Sequence, residues 1–326
     1  MKPQAARLDV RSALREGFAQ LRTAGVPSHT LAAELLLMHA LGRDRTWIYA
    51  HPEQEISAAD ADEFFALISR RAAGEPTQHL TGKQEFWGLE FEVTPDVLIP
   101  RPETEHVIEV ALDRLALREL RAGRRQKTNG DGLLIADIGT GSACIAIALA
   151  KELPGAAIIA TDISAAAIAV ARRNAARHNV AGRVHLLECN LLDGLHSSPL
   201  ATSHSPLLFD LVVSNPPYIG RGEGATLMRE VREHEPGVAL YGGEEGYELY
   251  AGLIAAAATH LKPGGILVLE LGHNSLPAVQ PFLDTSTWAK AGVTNDVAGI
   301  PRVLAAEKTS FHCEFRLRGG DEEPPR

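Results

Sequence analysis

The sequence predicts an α/β protein: a mostly parallel sheet with helices on both faces, preceded by a small helical bundle and a strand or hairpin. Three observations carry this. From Leu133 onward short apolar runs alternate with helical patterns, as crossover connections between parallel strands require. Before Gly74 the apolar residues recur instead at three- and four-residue steps. Between the two, Glu85 to Ile99 reads with a period of two.

In order along the chain, Val10, Leu14, Phe18 and Leu21 mark a first helix that Gly25 and Pro27 stop. Ser28 is expected to cap a second, carrying Leu31, Leu35, Leu36 and Leu41 and ended by Gly42. Ser57 with Asp60 starts a third, which carries Phe64, Phe65, Leu67 and Ile68 and ends near Gly74. Phe86 to Val93 alternates as a strand or hairpin, and Pro102 suits the first position of a helix with an acidic opening turn (Glu103, Glu105) that runs towards Arg121. A polar loop follows, with Arg124, Arg125, Lys127, Asn129, Gly130 and Gly132. Strands are then expected at about 133–137, 156–161, 183–188, 209–214, 265–271, 290–297 and 303–317 (one strand or two in the last), and helices at about 142–152, 164–179 and 246–260. Residues 319–326 read as a loose tail.

Composition bounds the function. The formal net charge of -9 argues against a protein whose main task is holding a nucleic-acid backbone, since that takes a surplus of Lys and Arg. The densest basic stretch, Arg114, Arg118, Arg121, Arg124, Arg125 and Lys127, reads as a solvated face rather than a docking patch. Cys144, Cys189 and Cys313 are far apart, so they suggest buried thiols in a reducing compartment and neither a disulfide framework nor a zinc site. The 13 histidines show no metal-binding spacing. The most apolar stretch, Leu133 to Ala150, is interrupted by Asp137, Gly139 and Gly141, whereas a membrane span needs roughly 20 predominantly apolar residues. With no signal-peptide pattern, a cytoplasmic protein without a membrane partner is expected, and nothing demands more than a monomer.

Two stretches carry chemistry. In Leu133 to Ile147, Gly139 and Gly141 fall where a strand turns into a helix, so backbone can approach a ligand and unpaired helix N–H groups face it. A dinucleotide fingerprint would need a third glycine where Cys144 stands, which disfavours a pyrophosphate and with it a nicotinamide dehydrogenase. Asp162, ending the next strand, can accept two ribose hydroxyls or cap the following helix, a role Ser164 can fill as well. Asp137, an acid ending a buried apolar strand, either braces the glycine loop or meets a ligand's cationic group. Together they suit a nucleoside-bearing cofactor without a diphosphate.

The second stretch is Asn215-Pro216-Pro217-Tyr218, leaving the carboxyl end of the apolar run Phe209 to Ser214. Two prolines fix two φ angles and remove two N–H donors, so the corner offers rigid acceptors. An amide or aryl-amine nitrogen is a poor nucleophile because its lone pair is delocalised. With the Asn215 side-chain oxygen and the Pro216 carbonyl accepting its two hydrogens, its lone pair can be aimed at an electrophilic methyl group. Tyr218 can stack on the planar amide. The proton leaves after transfer, so no strong base is required. A non-catalytic binding protein would explain the fold but not this corner.

The chain resembles the release factor glutamine methyltransferase family. The matching residues are Arg70-Arg71 with Gly74-Glu75-Pro76, Leu80-Thr81-Gly82, Glu85-Phe86-Trp87-Gly88, the run Leu98 to Glu105 (Leu-Ile-Pro-Arg-Pro-Glu-Thr-Glu), Asp137 to Ser142, and Asn215 to Ile219. The resemblance covers nearly the whole chain. It implies a Rossmann-like seven-stranded methyltransferase domain using S-adenosylmethionine, and methylation of the glutamine N5 in the Gly-Gly-Gln loop of peptide chain release factors. It divides the chain into a helical recognition domain at 1–75, a hairpin linker at 76–100 and a catalytic domain at 101–318. Gly139, Thr140, Gly141, Ser142 and Ala143 would line the cofactor's methionine part and Asp162 its ribose, Asp137 and Asn215 would also touch the cofactor, and Asn215, Pro216, Pro217 and Tyr218 would hold the glutamine. Asn190 and Leu191 stand where the family commonly has an acid and an aromatic beside the adenine. Glu103 and Thr104 face the cleft in the same reading. The alternative is a DNA or RNA amino methyltransferase, which shares the corner but should carry a basic target-recognition region.

Overall fold

The structure, a computed structural model, describes residues 8–121, 130–201 and 207–310. The expected tail at 319–326, the end of the last expected strand, Cys313, and Arg124, Arg125 and Lys127 of the basic stretch lie outside the described residues.

The amino-terminal part is helical: α1 (Val10–Thr23), α2 (His29–Leu41), α3 (Arg45–Ala50), α4 (Ala58–Ala72) and α5 (Thr77–Thr81). Asp9 caps α1 by accepting from the Ser12 N–H at 2.7 Å, and Ser57 caps α4 by accepting from the Asp60 N–H at 3.1 Å. Ser28 does not cap α2. Its backbone is left-handed (φ 49), whereas a side-chain cap needs an extended residue to bring the hydroxyl under the first free N–H groups. Val10, Leu21, Leu36, Leu37, Ile48, Phe64, Ile68 and Leu80 close a core of their own. Both α3 and α5 lie outside the expected helices.

A hairpin, β1 (Lys83–Phe86) and β2 (Leu89–Glu92), follows. Trp87 and Gly88 both sit at positive φ, the two-residue turn whose twist matches that of paired strands. A 3-10 turn at Pro102–Thr104 then opens α6 (Glu105–Arg121).

The second half runs β3 (Leu134–Ile138), α7 (Cys144–Glu152), β4 (Ala157–Asp162), α8 (Ala165–Arg177), β5 (Val184–Glu188), β6 (Phe209–Ser214), β7 (Ile219–Gly220), α9 (Arg229–His234), α10 (Gly237–Leu240), β8 (Tyr241–Gly243), α11 (Glu248–His260), β9 (Leu261–Glu270), β10 (Trp288–Asn295) and β11 (Pro301–Lys308). The expected strands and helices of this half are present among the described residues, the last strand as far as Lys308. The main sheet has seven strands in the order β10-β11-β9-β6-β3-β4-β5. Its five central and edge strands on the β5 side are parallel, and β11 and β10 run antiparallel. Both faces are buried, with Ile135, Leu211, Val213 and Val268 under α6, α7 and α8 and with Ala136, Val212, Leu267 and Leu269 under α11.

Arg114 and Arg118 are partly exposed and Arg121 is exposed, and each is paired within the fold. Arg114 donates to the Lys290 carbonyl at 2.9 Å, Arg118 to Asp210 at 3.2 Å, and Arg121 to Glu307 at 3.1 Å, fastening α6 to the sheet. Arg71, buried at the end of α4, pairs with Glu230 on α9 and so joins the helical part to the segment after Asn215-Pro-Pro-Tyr.

Candidate active site

The chain proceeds from β3 outward through β4 to β5, then returns to lay β6 against the other side of β3. That reversal separates the loops leaving β3 and β6, and open α/β sheets bind ligands in the crevice so formed. The cleft here has a volume of about 700 Å³. Across its floor the Ser214 hydroxyl donates to the Ile138 carbonyl at 2.7 Å, holding the two strand ends together.

The glycine loop forms one wall. Gly139, Gly141 and Ala143 all have positive φ, and a Cβ at either glycine would meet no protein atom within 4 Å. Asp137 braces the loop from below: its Oδ2 accepts from the Thr140 hydroxyl at 2.6 Å and from the Ala146 N–H at 3.2 Å. Its Oδ1 is buried with no hydrogen-bond partner. Burial pushes the carboxyl up to about 7, against the downward pull of those two bonds. Asp162 reaches across from β4, with Oδ2 accepting from the Gly141 N–H and Oδ1 from the Ser164 N–H, both at 2.9 Å. The cap of α8 is Ser164, so Asp162 is not needed there.

Asn174, wholly buried on α8, donates to the carbonyls of Glu92 and Ser142, each at 3.0 Å, and accepts from the Glu92 N–H. It ties the hairpin to the glycine loop. Beyond Asp162 the cleft is lined by Ile163, 59% exposed, and by Leu191, held at φ 47. Asn190 stands at the exposed rim, its amide 3.4 Å from Asp193.

The opposite wall is the Asn-Pro-Pro-Tyr corner. Asn215 donates from Nδ2 to the Thr104 hydroxyl at 3.0 Å. Among the described residues no N–H donates to the Pro216 carbonyl. The Tyr218 hydroxyl donates to Glu270 Oε1 at 3.3 Å, and its ring abuts Gly272, where a Cβ would come within 2.8 Å of it. Glu270, wholly buried at the end of β9, is pushed up to about 7 by burial, against the Thr104 hydroxyl, Arg302 and Tyr218, which draw it down. Thr104 itself is placed by the linker. Glu235, on the segment after α9, accepts from the Ile99 N–H at 3.1 Å and pairs with Arg101, setting the start of α6 beside the corner.

Gly139, Thr140, Gly141, Ser142, Asp162, Asn190, Leu191, Asn215, Pro216, Pro217 and Thr104 therefore meet in one cleft. Ala143 is wholly buried behind the loop, Asp137 lies beneath it, and Glu103 points to solvent. Tyr218 differs from the expectation: its ring is turned towards Gly272 and Glu270 instead of lining the cleft. Sequence reasoning missed Glu270, Asn174, Glu235 and Ile163.

Comparison with known proteins fits this geometry to a family. Residues 12–82 match the PrmC N-terminal domain and residues 126–233 the methyltransferase small domain. A release factor glutamine methyltransferase of Koribacter versatilis is 39% identical over 92% of this chain and 99% of its own length. The chain belongs to the release factor glutamine methyltransferase family. Another member, from Chlorobaculum tepidum, is 42% identical over 84% of this chain and 89% of its own. The chain is similar in fold to the hMettl16 catalytic domain solved with a MAT2A 3'UTR hairpin, at a TM-score of 0.51 and 18% identity over 76% of this chain and 83% of that one. As a member of the release factor glutamine methyltransferase family the chain is a methyltransferase.

Proposed function

We propose that the chain transfers a methyl group from S-adenosylmethionine to the side-chain amide nitrogen (N5) of the glutamine in the Gly-Gly-Gln motif of peptide chain release factors, and so acts on translation termination. The observation that carries this reading is Asn215, whose NH2 group is taken by Thr104, leaving its oxygen for the cleft that both residues line.

The residues present suit S-adenosylmethionine. The unpartnered Oδ1 of Asp137 is an acceptor beneath the loop for a cationic ammonium group. The bare backbone at Gly139 and Gly141, with Thr140 and Ser142, takes the methionine part. Each oxygen of Asp162 has accepted one backbone hydrogen and keeps a lone pair for a ribose hydroxyl. Ile163 and Leu191 flank an adenine, and Asn190 can accept from its exocyclic amine. When bound, the cofactor supplies a methyl group activated by a sulfonium.

The chain's own residues do the rest. Asn215 Oδ1 and the Pro216 carbonyl each accept one hydrogen of the glutamine amide, which holds the nitrogen and offsets the positive charge that develops on it. Pro217 keeps the corner rigid, and Tyr218 supports it from behind through Glu270. The proton departs after transfer.

In this reading residues 1–75 recognise the body of the release factor, 76–100 link, and 101–318 carry the chemistry. One chain holds every group named, so the monomer is the working unit, in the cytoplasm with its substrate. A DNA or RNA amino methyltransferase would use the same corner, but Arg114, Arg118 and Arg121 are engaged within the fold and the net charge is -9. Purified protein is expected to transfer labelled methyl from S-adenosylmethionine to a release factor and not to its Gln→Ala variant. Label in DNA or RNA, with none in the release factor, would sink the reading.

A further inference from the structure

Beside the Asn-Pro-Pro-Tyr corner the cleft is closed by a stretch of chain that contributes little to the core. Arg221, Gly237, Val238, Ala239 and Tyr241 line the cleft, and between the first two lies α9, none of whose residues is buried. The carboxyl end of this stretch bears directly on the corner. β8 pairs with β7, with Ile219 opposite Tyr241, and a Cβ at Gly242 would collide with the Pro217 carbonyl oxygen. Displacing residues 237–241 therefore changes the space in front of Asn215.

What holds the stretch comes from earlier in the chain. Arg71, buried at the end of α4, donates from one guanidinium nitrogen to the Glu75 carbonyl at 3.2 Å and from another to Glu230 on α9. Near it, Gly74 has φ 109, and a Cβ there would come within 3.3 Å of the Arg229 side chain. Just past α9, Glu235 accepts from the Ile99 N–H at 3.1 Å and pairs with Arg101. The ion pairs of Arg229 and Arg232 with Glu233 are local to the helix and fix nothing outside it. A helix with no buried residue takes its position from polar links, and a buried guanidinium bonded on two sides is a rigid one.

We propose that Arg71 is a positioning residue for the substrate side of the cleft: through Glu230 the amino-terminal helices hold α9, and with it residues 237–241, against the Asn-Pro-Pro-Tyr corner. The inference rests on the proposed release factor reading and extends it, since the helices then shape the site as well as recognise the substrate's body. Arg71 and Glu230 stand 159 positions apart in sequence, and neither lines the cleft.

Arg71→Met tests it while keeping the apolar stem, and it leaves Glu230, whose side chain is 23% exposed, free to turn to water. Glu230→Ala removes the pair from the other end. In each, kcat/KM for the release factor is expected to fall on the order of 10–100-fold, the cost of a small misplacement at the reacting amide. Affinity for S-adenosylhomocysteine, measured by calorimetry, should stay within about threefold, since the glycine loop and Asp162 are untouched. The double variant should lose no more than the worse single one, because both substitutions cut one link. Arg232→Ala, on the exposed face of the same helix, should leave kcat/KM unchanged. Tryptic cleavage after Arg229 and Arg232 follows the helix without any turnover, and it should quicken on the order of tenfold in both single variants. An unchanged kcat/KM or an unchanged cleavage rate in both overturns the proposal. So do losses that multiply in the double variant, or that follow cofactor affinity or melting temperature. Faster cleavage alongside an unaltered enzyme that labels no release factor is a different failure, that of the methyltransfer reading itself.

Discussion

Asn215→Ala is expected to lower kcat for release factor methylation by roughly 10²–10³-fold while cofactor affinity stays within a few-fold. The size follows from what the side chain does. An amide nitrogen has its lone pair drawn into the carbonyl, and methylation requires that pair to be localised and aimed. Of the two acceptors that can hold the NH2 group, the Pro216 carbonyl is fixed by the backbone and survives the substitution. Its one remaining bond leaves the amide free to rotate about that axis, so both orientation and charge stabilisation are lost together. The wall proposed for the cofactor is built from other elements, Gly139 to Ser142 on the β3 loop and Asp162 on β4, and neither Asp137 nor Asp162 bonds to Asn215. The check is a single-turnover rate at saturating substrate beside a calorimetric titration with S-adenosylhomocysteine. Normal turnover with lost affinity would assign Asn215 to the cofactor and not to the glutamine.

Asn215 and the glycine loop were legible in the sequence because their signals are local. An apolar run ending in Asp and two glycines, and an apolar run ending in Asn-Pro-Pro-Tyr, each fit within about a dozen residues and each ends a strand. Glu270 carries half of the same signal, an acid closing the apolar run Ile266 to Leu269, but Gly272 and His273 after it form no recognisable turn. The partners that orient the site are distant. Thr104 meets Asn215 across 111 residues, Asn174 meets Glu92 across 82, and Glu235 meets Ile99 across 136. No periodicity or spacing encodes such pairs, because they depend on which loops the sheet order brings together. The elements between Tyr218 and Tyr247 were illegible for another reason: their helices and strands have two to six residues, too short to complete an amphipathic repeat. Ser28 failed as a cap because residue type indicates a hydroxyl but not the φ that aims it.

Asp137 marks the place where the fold gives up stability at the site, and Asp137→Asn is expected to recover it in a pH-dependent way. The folded-state pKa of about 7 stands above the ordinary 3.8, so between those values the folded chain binds a proton that the unfolded chain has released. Stability must then fall as pH rises through this window, with the favourable contribution complete below about 3.8 and gone above about 7. At 1.36 kcal/mol per pKa unit the full effect is about 4 kcal/mol, an upper figure for a site whose loop can relax. Asparagine keeps an oxygen for Thr140 and Ala146, never ionises, and lacks that slope. The ligand-free variant should therefore gain on the unaltered chain by about 2–4 kcal/mol between pH 4.5 and pH 8 in denaturant unfolding. Glu270 is also raised to about 7, but it is common to both proteins and cancels in the difference. Cofactor should act in the opposite sense. A cationic ammonium offsets the buried charge only where a carboxylate is present, so affinity at pH 8 should fall on the order of 10–100-fold in the variant. Binding to the unaltered chain near pH 6 should release a proton, read as a dependence of the calorimetric heat on buffer ionisation enthalpy. A stability difference that is the same at both pH values would mean that Asp137 titrates near its ordinary value and only braces the loop. Gain in the empty protein and loss in the loaded one would instead assign the unpartnered Oδ1 to the ligand, since bracing alone requires only Oδ2.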